Sequence, residues 1–278
     1  LYHPNIKEHQ RISVEFVYDL HFCHFLKLSQ PMAGIFQKQL PYDTKRGKLL
    51  PGISPLSPQN WLILDEAYAE QMQERERLIK SKRGAVIALD AQAMEAAVEL
   101  LENTLDFLPN LGDFKQIEET IKCPDGRSVQ IDISDPMATL GKLVQNDFCI
   151  MQKCGDEHIL SGAVLCFPAS WSLSEKFMRP LKVIHEPVAE YDENITRRVQ
   201  RLFDGIKVGR PLWRFNKLYY EAPDLHQPRT FSNPRRILAK DEGGYIRSEK
   251  QTLTRLSKSN AVIFTIHTFV IRRLNDQN

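Results

Sequence analysis

Phe148 to Phe167 reads FCIMQKCGDEHILSGAVLCF. Two apolar runs, Phe148 to Lys153 and His158 to Phe167, flank Cys154-Gly155-Asp156-Glu157, so the stretch predicts a β-hairpin closed by a glycine-containing loop. The same texture returns near the C-terminus, where Tyr245 to Leu256 and Ala261 to Leu274 are joined by Ser257-Lys258-Ser259-Asn260. Pro211 to Tyr220 is a further strand candidate. An antiparallel sheet is therefore expected from the second half of the chain.

Upstream the period changes. Ser57-Pro58 sets Pro at a first helical position, and Trp61, Leu64, Tyr68, Met72 and Ile79 follow near helical spacing up to Gly84, a C-cap candidate. Asp90 caps a second expected helix with Met94, Val98, Leu101, Leu105 and Leu108 on one face, stopped by Pro109, and the two helices are expected to pair antiparallel. Cys123-Pro124-Asp125-Gly126 is a turn signal, and Asp135-Pro136 opens a short helix through Leu143. Ser172-Leu-Ser-Glu175 has the capping-box pattern. Leu181 to Tyr191 reads as extended, and a last amphipathic helix starts near Asp192 with Val199, Leu202 and Phe203 inward. Helices gathered early and a sheet built late give an α+β class, with residues 1–56 an irregular lead-in and 57–278 a single domain.

No apolar run approaches the ~20 residues of a membrane-spanning helix, and Leu1-Tyr2-His3-Pro4 lacks the order of a signal peptide. A cytoplasmic protein is expected. The five cysteines form no CxxC pair and carry no assigned chemistry, although Cys149 and Cys154 bracket the first hairpin. Charge is uneven: Ile206 to Asn278 holds 14 Lys/Arg against 6 Asp/Glu, the remainder 23 against 29. The absence of a reading motif argues against nucleic acid, and an anionic cofactor, an acidic partner or a solvated face all fit.

No Gly-rich phosphate loop, HExxH, GxSxG or paired cysteine is present. The distinctive stretch is WSLSEKFMRPLKVIHEPVAEY, Trp171 to Tyr191. His185, flanked by apolar residues and followed by Pro187, is either an aimed metal ligand or a buried structural histidine. Lys176, Arg179 and Arg214 suit carboxylates of an anionic ligand or face solvent. On the last hairpin, period-2 alternation puts Arg247, Glu249 and Gln251 on one face. Glu249 is either a buried carboxylate for a cation or one half of a cross-strand ion pair. His267 is either a proton carrier near a pocket or a histidine on a solvent face.

GISPLSPQNWLILDEAY (Gly52 to Tyr68), WSLSEKFMRPLKVIHEPVAEY, GRPLWRFN (Gly209 to Asn216) and RSEKQTLTRLSKSNAVIFTIHTF (Arg247 to Phe269) resemble, in order, the haem-dependent oxidative N-demethylase alpha-subunit family. The resemblance implies a PAS-like sheet whose cleft holds haem b, with His185 as the iron ligand and Lys176, Arg179 and Arg214 as propionate partners. It implies oxidation of a dimethylamine-like substrate by O₂ and release of formaldehyde, for which Glu249 and His267, singled out from the strand pattern, are the candidate catalytic residues. Reductase partners carrying NADPH, flavin and iron–sulfur centres, and a tetrahydrofolate-dependent partner, are implied on other subunits. A PAS-like haem sensor or gas carrier without turnover is the alternative. The chain departs from the family pattern at Met178, where a small residue is expected, at Ala189, where a proline is expected, and at Lys217, where an aromatic residue is usual.

Overall fold

Both hairpins form, and together they make the middle of one sheet. The computed structural model describes residues 34–43, 52–185, 193–239 and 242–273, and of residues 185 and 193–196 the backbone alone. In chain order these hold β1 (Ser54–Pro55), α1 (Tyr68–Ser81), α2 (Arg83–Val86), β2 (Ile87–Leu89), α3 (Met94–Phe107), β3 (Lys115–Ile117), β4 (Thr120–Lys122) and β5 (Ser128–Gln130). Then come α4 (Pro136–Leu143), β6 (Asp147–Cys154), β7 (Glu157–Val164), α5 (Leu173–Lys176), α6 (Leu181–His185) and α7 (Glu193–Gly205). The chain finishes with β8 (Leu212–Phe215), β9 (Leu218–Tyr220), β10 (Tyr245–Arg255) and β11 (Val262–Arg272). All these residues fall in the unit Gly34–Asn278.

The class is α+β. An eight-stranded antiparallel sheet runs β1-β8-β10-β11-β6-β7-β2, with β9 on the outer side of β10, and β3, β4 and β5 make a separate three-stranded sheet. Register is set by alternation. Thr265 lies opposite Phe148 and Thr252, while Ile266 lies opposite Asp147 and Gln251, so each face of the sheet collects its own set of side chains. One face carries Phe148, Ile150, Val164 and Ile263 into a core shared with α1, α3 and α4. The other carries Cys149, Met151, Ala163, Leu253, Val262 and Ile266 against Leu173 of α5, Leu181 and Ile184 of α6, and Phe203 of α7. The sheet is thus buried on both sides, which explains why β6 reads as a continuous apolar run.

Several expected boundaries move. The helix expected from Pro58 is a three-residue 3-10 turn (Pro58–Asn60), and α1 starts only at Tyr68. Asp65 is the cause: its Oδ1 accepts from the Ala67 N–H at 2.9 Å and its carbonyl from the Tyr68 N–H at 3.1 Å, which fixes a turn just before the helix. Gly84 lies inside α2 rather than ending α1. Helices α1 and α3 do not form the expected pair; each packs chiefly on α4, which is wedged between them. Leu181–His185 is helical instead of extended, with the Ile184 N–H reaching back to the Pro180 carbonyl at 3.0 Å, because a proline before a first turn is no obstacle to it. Cys149 is buried and Cys154 exposed, and their separation along one strand keeps both thiols free. Pro211 to Tyr220 is two strands, broken at Asn216 and Lys217.

Candidate functional site

Glu249 sits mid-strand on β10, where its face meets the helical cover of α5 to α7. The side chain is 4% exposed. Its Oε2 accepts from Asn216 Nδ2 and Gln251 Nε2, each at 2.8 Å. Asn216 also accepts the Glu249 N–H at 2.8 Å and donates its own N–H to the Glu249 carbonyl at 3.1 Å. The break between β8 and β9 thus exists where Asn216 turns to clamp the carboxylate. Oε1 is buried and has no hydrogen-bond partner among the described residues. The expected alternative of a cross-strand ion pair is replaced by two amides.

Cations gather on this same face without pairing to that carboxylate. Arg214 lies directly opposite Gln251 in register. No hydrogen bond or ion pair joins its guanidinium to another described residue, and burial pulls its pKa down while Glu249 partly offsets that. Lys176, from α5, holds its ammonium 4.6 Å from the centre of the Trp171 ring. Burial pulls its pKa down to about 8, against the raising influence of Cys149 and Glu249. Burial pushes the Cys149 thiol well above its ordinary range, with Asp147 adding to the shift and Lys176 opposing it. Arg247, two residues before Glu249, is spent otherwise: it donates to the carbonyls of Phe167 at 2.6 Å, Leu225 at 2.9 Å and Asp224 at 3.3 Å.

Of the six residues singled out in the sequence, the structure brings Lys176, Arg214 and Glu249 to one face. Arg179 is exposed, and only its backbone is engaged, with Leu160 and Lys176. His185 ends α6, which packs on this face through Leu181 and Ile184, and its side chain lies outside the described residues. His267 is on the opposite face, across from Lys250, and is fully buried instead of facing solvent. It does not share a cleft with Glu249, because β10 and β11 stand between them. Its Nε2 meets Asp65 Oδ2 at 2.9 Å, and Gln145 and Gln37 donate to the same carboxylate at 2.7 and 2.9 Å. Burial raises the Asp65 pKa, yet His267 and the two amides outweigh it and hold the group below its usual range.

Met178 does not fill the cleft either. Its side chain is 43% exposed. The sequence reading missed Asn216, Asp65 and Thr268. All three lie in the quoted segments, but only the strand register and the turn before α1 show what they touch.

One face of the sheet of this α+β protein thus gathers two half-buried cations and a buried carboxylate with one oxygen unpartnered among the described residues. This chain belongs to the haem-dependent oxidative N-demethylase, alpha subunit-like family, whose model matches residues 52–275. The donor set suits the group in the family's description: haem carries two propionates, and Lys176 and Arg214 are half-buried cations with no ion-paired carboxylate among the described residues. Among the described residues no helix is long and apolar enough to cross a membrane.

Proposed function

We propose that this chain is the haem-binding subunit of an oxidative N-demethylase acting on a small methylated amine of the dimethylamine type. One observation supports this reading most: a buried carboxylate with one oxygen unpartnered among the described residues, on a sheet face that also gathers two half-buried cations. An unpaired buried charge is costly unless a ligand completes it. In this reading Lys176 and Arg214 would hold the propionates, His185 would ligate the iron, and the long central hairpins with their helical cover are a PAS-like cradle. Haem b, when bound, supplies the iron centre that activates O₂ for oxidation of an N-methyl group to formaldehyde.

The chain's own residues do the rest. Glu249, held by Asn216 and Gln251, presents Oε1 to a protonated amine and so fixes the methyl group's position. Leu253, Ile266 and the apolar residues of α5 to α7 exclude water from that face. His267 is a structural partner of Asp65 and takes no part. Electrons come from a reductase partner carrying NADPH, flavin and iron–sulfur centres, and formaldehyde passes to a tetrahydrofolate-dependent partner.

The absorption spectrum of the full chain purified with haem tests this, read before and after addition of dimethylamine. A Soret band that shifts with the amine, and is lost or greatly weakened in His185→Ala, is expected. No haem uptake, or a band indifferent to every methylated amine, overturns the proposal.

A further inference from the structure

We propose that Glu249 and Thr268 form a two-acceptor seat for a protonated secondary amine, so that the site selects substrates by their number of N–H donors. The inference deepens the N-demethylase reading and rests on it for the choice of amine. Thr268 lies directly opposite Glu249 in the β10–β11 register, on the same face, a position that brings cross-strand Cβ atoms to about 4.5–5.5 Å. Thr268 is 1% exposed and Glu249 4%. Thr268 Oγ1 and Glu249 Oε1 are both buried side-chain atoms without a partner among the described residues.

Two such atoms on facing residues are a built feature, since buried polar groups ordinarily find partners. The other atoms of the pair are occupied. Oε2 of Glu249 takes the Asn216 and Gln251 amides, and the Thr268 carbonyl takes those of Gln37 at 3.3 Å and Gln71 at 3.2 Å. What is left over is one carboxylate oxygen and one hydroxyl, both able to accept. A protonated secondary amine carries two N–H donors, a tertiary one carries one, and a quaternary ammonium none. A desolvated N–H without an acceptor is unfavourable, so two acceptors match the secondary amine. Oε1 meets one N–H and bears the countercharge. The Thr268 hydroxyl accepts the other, and its own proton is free to turn toward Oε1. Arg247 Nε is a third buried atom on this face unpartnered among the described residues; being a donor, it is the amine's rival for Oε1 and leaves the Thr268 hydroxyl as the acceptor that the test isolates.

The test is titration calorimetry of the full chain, haem-loaded and haem-free, with dimethylammonium, trimethylammonium and tetramethylammonium chlorides. Thr268→Val keeps the shape and removes the acceptor. It is expected to weaken dimethylammonium about tenfold and trimethylammonium less than about twofold, as loss of one hydrogen bond predicts. Thr268→Ser is expected to restore the preference, and Glu249→Gln to weaken both cations. Equal losses for both amines in a Thr268→Val chain of unchanged melting temperature, or no loss for either, overturn the seat; the second result assigns Oε1 to Arg247 instead. The outcomes separate from the parent reading: donor-counting in a chain that takes up no haem removes the oxidation and keeps the seat. A haem-loaded chain whose spectrum responds to amines while Thr268→Val is neutral removes the seat alone.

Discussion

Met178 holds a backbone angle φ of 58°, in the left-handed region where a β-carbon is unfavourable. Its N–H bonds to the Leu160 carbonyl at 2.8 Å, so the backbone is pinned there by the sheet edge. Glycine is the residue that this angle suits, and Met178→Gly is expected to raise stability by about 1 kcal/mol, read as a higher urea midpoint at constant m-value. Arg75 is the opposite case. It is fully buried and meets Asp147 at 2.6 Å, with the Gly141, Gln145 and Asn146 carbonyls filling its other donors. Arg75→Met strands the Asp147 carboxylate, and a loss of about 3–5 kcal/mol in the same experiment is expected. Asp65 carries a pH dependence. Its folded pKa lies below its unfolded one, so its contribution is present above the unfolded value, roughly pH 4, and is lost as pH falls through the folded value. Melting temperatures of Asp65→Asn should therefore fall less steeply than wild type below that pH; parallel curves would remove the role. Nothing local in the sequence marks Arg75 or Asp65, because their partners lie 72 and 202 residues away.

At the scale of elements, legibility follows the range of the forces. The hairpins β6–β7 and β10–β11 could be read because alternation and turn residues are local, and Gly155, at φ 61°, supplies the turn that the sequence advertises. Asp90 caps as read, accepting from the Gln92 N–H at 2.9 Å. Helix α6 was missed because its single turn is set by Pro180 bridging to Ile159 of β7, a contact no periodicity encodes. The placement of α4 between α1 and α3 was equally invisible, since it depends on a small residue meeting two neighbours. A β-carbon on Gly141 would come within 2.8 Å of both Ile79 Cδ1 of α1 and Val164 Cγ2 of β7. Gly141→Val is expected to overpack this junction and cost about 1–3 kcal/mol, seen as a lower melting temperature with α1 amides exchanging faster.

On the scale of the whole molecule, the sheet divides two tasks. The face toward α1, α3 and α4 carries most of the apolar core and the Asp65 network, whose carboxylate is held by His267, Gln145 and Gln37, and it serves stability. The face toward α5 to α7 keeps a carboxylate oxygen and a hydroxyl unpartnered among the described residues, beside half-buried cations, which an apolar core of the same volume would not do. Three of its site residues were legible as residue types in odd company; their convergence was not, because β8, β10 and α5 meet only through long-range register. Such a face should trade stability for binding. Lys176 gives the sharpest test. Its folded pKa, about 8, is below its unfolded one, so the unfolded chain binds more protons between about pH 8 and 10.5 and stability rises with pH across that window. Lys250, likewise pulled down to about 8 by burial, contributes in the same direction. In the haem-free chain, Lys176→Met should raise the melting temperature at pH 7 and flatten part of the rise above pH 8, while haem retention falls. If the haem-free variant melts lower instead, the Trp171 contact outweighs the burial cost, and the unpaired ammonium is no longer a mark of a ligand site.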